Sequence, residues 1–115
     1  MDAENLKKRL QQYTFRENNG RILRTVNILN PKESTVGNIC YLMQGESWEA
    51  VQNSLNYLTE AGYIRITGPK EEPFPGQLDD TTKGYHITLT AAGIEILMGV
   101  QESPCLLYTS PSPRD

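Results

Sequence analysis

Along most of the chain the apolar residues fall at helical spacing, and in two short stretches the spacing changes to alternation. From Asp2 to Tyr13, Leu6, Leu10 and Tyr13 share one helical face, with Lys7, Lys8 and Arg9 outside it. So short a helix is not stable alone and needs a surface to pack on. The Phe15 to Gly20 segment, FRENNG, is polar and reads as a loop. A second helix is predicted from Asn19 to Leu29, with Ile22, Val26 and Leu29 inward, Leu23 beside them, and Arg21 and Arg24 outward. Pro31 ends it, because proline cannot continue the backbone hydrogen bonding. Ser34 or Thr35 then caps a third helix whose inner stripe is Val36, Ile39, Cys40 and Met43. Gln44, Gly45 and Glu46 make a short turn, for which Gly45 supplies the backbone freedom.

The next helix, Ser47 to Ala61, carries the clearest pattern. Trp48, Val51, Leu55 and Leu58 line one face, while Glu49, Gln52, Asn53, Asn56 and Glu60 fall on the other. Ser47 is the expected N-cap, and Gly62 takes the left-handed conformation that stops the helix. Beyond Gly62 the period drops to two. Tyr63 to Thr67 reads as a strand, and so does Tyr85 to Leu89, where Tyr85, Ile87 and Leu89 oppose His86 and Thr88. Between them, GPKEEPFPGQLDDTTKG holds three prolines and three glycines and reads as a loop. Thr90 caps a last helix carrying Ile94, Leu97 and Met98, which fades by Glu102.

The fold class that follows is mainly α with a small β-hairpin. An amphipathic helix occupies 1–14, one domain spans 15–101, and 102–115 is expected to be a disordered tail, with Pro111 and Pro113 breaking any helix. The 103–115 stretch, SPCLLYTSPSPRD, also resembles translated sequencing-adapter read-through, which would make it non-native. A chain of 115 residues is long enough for one modest core, and an apolar fraction of 37% leaves part of it outside that core. No apolar run approaches a membrane span and the N-terminus lacks a signal peptide's apolar centre, so a soluble cytoplasmic protein is expected. Cys40 sits in a helical core pattern and Cys105 in the tail, which argues against a disulfide framework.

Little points to catalysis, and neither an enzyme nor a cofactor is expected. There is one histidine, His86, no cysteine–histidine spacing suited to zinc and no Gly-rich phosphate loop. Asp79 and Asp80 beside Thr81 and Thr82 suggest a loop turn, or more ambitiously a weak cation site.

Three pieces carry a family resemblance: STVGNICYLMQGESWEAVQNSLNYLTEAGYIRI, the strand–loop–strand unit after it, and YHITLTAAGIEIL. Together, over about Asn18 to Val100, they resemble the winged helix-turn-helix superfamily of bacterial and phage regulators, with an extra N-terminal helix and a C-terminal helix after the wing. A helix ending Leu-x-x-Ala-Gly-Tyr-Ile and a last helix opening Leu-Thr-x-x-Gly are common phrases there. The resemblance implies that helix 47–61 enters a DNA major groove, with Ser47, Glu49, Gln52, Asn53 and Asn56 as candidates for base contact. Amides can pair with an adenine edge and Glu can accept from cytosine. Backbone candidates are Lys7, Lys8, Arg9, Arg21, Arg24, Lys32 and Arg65, with Lys70 and Lys83 on the wing. A homodimer would supply two half-sites.

Charge complicates that expectation. The chain carries −3, helix 47–61 holds no Arg or Lys, and the wing loop sets four carboxylates against two lysines. Phosphate affinity normally comes from Arg and Lys. The alternative is a protein-interaction module, an adaptor or a phage-encoded inhibitor, that meets a basic protein surface through the acidic wing and polar helix face.

Overall fold

The computed structural model describes residues 2–29 and 31–99. Four helices and one two-stranded antiparallel sheet follow in the order α1 (Ala3–Ile28), α2 (Val36–Leu42), α3 (Trp48–Glu60), β1 (Ile64–Thr67), β2 (His86–Leu89) and α4 (Ala91–Leu97). The tail expected to be disordered lies outside the described residues. No helix among the described residues is long and apolar enough to cross a membrane.

The main departure from the sequence reading is α1. One helix of 26 residues, about 39 Å long, replaces the two expected helices and the FRENNG loop between them. Asn18, Asn19 and Gly20 are buried in its middle, and Asn18 Nδ2 donates to Glu46 Oε1 at 3.2 Å. Polarity therefore reflects contact with the α2–α3 turn, and packing overrides the weak helix propensity of Asn and Gly. Continuity changes where the apolar stripes point. Ile22 stands nine positions after Tyr13, which at about 100° per residue is two and a half turns. The Leu6–Leu10–Tyr13 stripe thus faces away from the core that Ile22, Leu23 and Val26 enter.

That core is formed by α1's second half, Val36, Ile39 and Met43 of the α2 segment, Val51, Leu55 and Leu58 of α3, and Ile64, Ile66 and Ile87 of the hairpin. The strands pair with Ile64 opposite Leu89 and Ile66 opposite Ile87, so one hairpin face is buried as the alternation predicts. Thr35 is the cap of α2, accepting from Asn38 N at 3.2 Å. Ser34 instead takes up the sheet. Its hydroxyl donates to Ile87 O at 2.7 Å while Ile87 N donates to Ser34 O at 2.8 Å, and Thr35 bridges His86. On α4 the inward residues are Gly93 and Ile96, not the expected Ile94 and Met98, which are exposed.

The turn into β1 is locked to α4. Gly62 has φ +81°, and the amide and hydroxyl of Thr90 donate to Tyr63 O (3.0 Å) and Gly62 O respectively. A Cβ on Gly93 would stand 2.1 Å from Tyr63 O, so glycine there is a requirement of close approach.

Candidate functional site

Helix α3 starts as the sequence predicts, with Ser47 Oγ accepting from Ala50 N at 3.1 Å. Val51, Leu55 and Leu58 fix its inner face, and the polar side chains divide between two tasks. Along one edge, residues four apart hold the hairpin loop. Trp48 Nε1 donates to Leu78 O (3.2 Å), Gln52 Oε1 accepts from Leu78 N (2.9 Å), and Asn56 Nδ2 donates to Gly76 O (3.0 Å). The Leu78 side chain is buried in the core, and Gly76 provides the left-handed turn at φ +85° that presents its carbonyl. Trp48, expected on the inner face, is 51% exposed and lies along this edge instead.

Those bonds alter the roles of two predicted base readers. Pairing with an adenine edge requires an amide to offer its nitrogen and its oxygen together. Gln52 has committed its oxygen and Asn56 its nitrogen to the loop. Asn53 is exposed, and both its amide atoms are unengaged among the described residues. Glu49 is exposed beside it, and Ser47 is exposed with its hydroxyl serving as the cap.

The other side of this strip is bounded by α1. Leu10, Gln11 and Phe15 share a groove with Ser47, Glu49 and Asn53, and Phe15 meets Tyr57 edge-to-face with centroids 5.4 Å apart. Lys7, Lys8 and Arg9 follow on the exposed turns of α1 leading away from the groove. The remaining cations are dispersed. Arg21 Nη2 donates to Leu42 O at 3.3 Å, and Arg24 is half-buried with its Nη1 enclosed. Lys32 lies on the turn before α2, and Arg65 on the exposed face of β1. On the loop, Lys70 is exposed and Lys83 pairs with Asp80 at 3.0 Å.

Asp79 has a structural task. It accepts from Thr81 N (2.8 Å), Thr82 N (3.2 Å) and the Thr81 hydroxyl, and the hydroxyl bond above all holds its carboxyl below the usual aspartate range. Thr82 is buried beneath, donating to Gln77 O at 3.2 Å. Among the described residues no group of three or more His, Cys, Asp or Glu could hold a metal ion. Burial pushes the Cys40 thiol up, partly offset by Lys83, as suits a packing residue.

Gly76 and Leu78 are absent from the site the sequence predicts. The signal for Leu78 was present, since it and Phe74 are the large apolar residues of an otherwise polar loop. The hydrogen bonds to its backbone had no such signal. Comparison with protein-family models, with curated proteins and with solved structures gives no match for this chain.

Proposed function

We propose that the chain is a DNA-binding regulator of the winged helix-turn-helix type, with α2 and α3 as the helix-turn-helix and the β1–β2 hairpin as the wing. The observation that carries this reading is the uncovered strip of Glu49 and Asn53, between the clamped loop and a helix whose next turns bear Lys7, Lys8 and Arg9. Contact between the Ala-Gly-Tyr-Ile and Leu-Thr-x-x-Gly phrases, through Tyr63 O, supports the resemblance with a physical reason for both. In this reading Asn53 reads a base edge, Glu49 discriminates against bases that offer it no donor, and Gln52 and Asn56 aim the wing. Lys7, Lys8 and Arg9 contact phosphates.

Selection from a random duplex pool at low salt tests it. Asn53→Ala is expected to change the selected sequence, and Lys8→Ala to weaken all sequences alike and lower the salt slope by about one. Absence of binding to every duplex in the pool refutes the reading.

A second reading is favoured by one observation. The loop holds four carboxylates against Lys70 and an already paired Lys83, and α3 adds Glu49 and Glu60 without a cation. Such a surface suits a basic protein partner better than a phosphate backbone. Here the chain would serve as an adaptor or inhibitor, and a partner captured after nuclease treatment and lost with Glu49→Lys would favour it.

A further inference from the structure

We infer that the N-terminal half of α1 is a homodimer interface, in which the Leu6–Leu10–Tyr13–Glu17 stripe of one copy packs antiparallel against the same stripe of a second. Every described residue from Asp2 to Tyr13 is exposed, including Leu6 at 54%, Leu10 at 66% and Tyr13 at 47%. An isolated helix shorter than about 12–15 residues is marginal in water, and across this stripe its own fold offers only the open α3 groove beside Leu10, which still leaves Leu10 exposed. Its apolar side chains cannot turn inward, because they sit half a turn from the core-facing stripe of the same rigid helix.

Three features select a second copy as the occupant. The spacing of four, three and four is that of a coiled-coil seam. A stripe running along one helix is self-complementary about a two-fold axis, which gives a closed, isologous contact. Charge supplies the register. Glu17 ends the stripe and Lys7 and Arg9 flank its beginning, all exposed and none in an ion pair among the described residues. Laying Leu10 of one copy against Tyr13 of the other sets Glu17 beside the opposite Leu6, in reach of Lys7 and Arg9, and the axis repeats the contact. A parallel arrangement sets Glu17 against Glu17 and Lys7 against Lys7, whereas the antiparallel one leaves Arg16, also exposed, beside the opposite Lys7 as its like-charge contact. This inference does not rest on DNA binding, and it sets Lys7 and Arg9 against Glu17 of the second copy where the DNA reading sets them against phosphates.

Sedimentation equilibrium of the full chain in reducing buffer, which prevents cross-linking through Cys40 or Cys105, tests it. The chain is expected to run at twice its 13.0 kDa. Leu10→Asp is expected to give a monomer with the near-ultraviolet signal of Trp48 retained, whereas Met98→Asp, on the exposed face of α4's end, leaves the dimer intact. Glu17→Lys is expected to weaken association about tenfold, and adding Lys7→Glu and Arg9→Glu to it to restore association. A monomeric wild-type chain, a dimer that survives Leu10→Asp, or one lost with Met98→Asp overturns the inference. So does a wild-type monomer that uses Lys7 and Arg9 to hold duplex DNA.

Discussion

Replacing Gln52 by alanine separates a clamp from a base reader. Gln52 Oε1 is the acceptor for Leu78 N–H at 2.9 Å, in a part-buried setting where water replaces it poorly. Losing a neutral hydrogen bond of this kind costs about 1 kcal/mol, and the Trp48 and Asn56 bonds on either side should hold the loop in place. At that cost the local opening equilibrium around Leu78 rises about fivefold. Amide hydrogen exchange read by NMR should therefore show Leu78 exchanging about fivefold faster in Gln52→Ala, with the amides of Leu55 and Leu58 in the core unchanged. Adding Asn56→Ala should exceed the sum of the single effects, because the two side chains secure one loop segment. Unchanged exchange at Leu78, together with an altered DNA site preference, refutes the reasoning and returns Gln52 to the base-reading face.

Two further outcomes follow from the geometry. Gly93→Ala should gain about 1 kcal/mol in helix propensity but force a Cβ against Tyr63 O, which the Thr90 amide also holds; overpacking of this sort costs about 1–3 kcal/mol or more, so a lower melting temperature is expected, and an unchanged or higher one contradicts the close approach. Asp79 has its folded-state pKa lowered by the Thr81 hydroxyl bond, then by the Thr81 and Thr82 amides, so its contribution is complete above the ordinary value of about 4 and is lost as pH falls through the depressed one. Asp79→Asn should accordingly flatten the acid limb of a stability-against-pH curve, and identical limbs would remove Asp79 from that account.

The hairpin and the face it buries were legible because alternation over Tyr63–Thr67 and Tyr85–Leu89 has a single interpretation when one face is buried. The caps at Ser47, Thr35 and Thr90 and the stop at Gly62 were legible for the same reason, each being a local requirement of backbone groups. What failed was non-local. FRENNG looks like a loop until Asn18 meets Glu46 from the α2–α3 turn, and local polarity carries no trace of that partner. Ile94 and Met98 fit a helical stripe as well as Ile96 does, and only the docking of Gly93 on Tyr63 decides which face turns inward. Gln52 and Asn56 have the chemistry of base readers, and the loop reaches them first.

The half-turn offset within α1 makes chain length itself a specified quantity. One residue inserted between Tyr13 and Ile22 would swing Leu6, Leu10 and Tyr13 about 100° around the helix axis, and two would bring them about 200° round, onto the side of α1 that faces the core. Placed directly after Tyr13, neither insertion changes a side chain or moves Ile22, Leu23 and Val26 in the core, whereas one within FRENNG also displaces the buried Asn18, Asn19 and Gly20. The count of residues across FRENNGR is therefore under as tight a constraint as their identity, and an indel there would redirect the whole overhang.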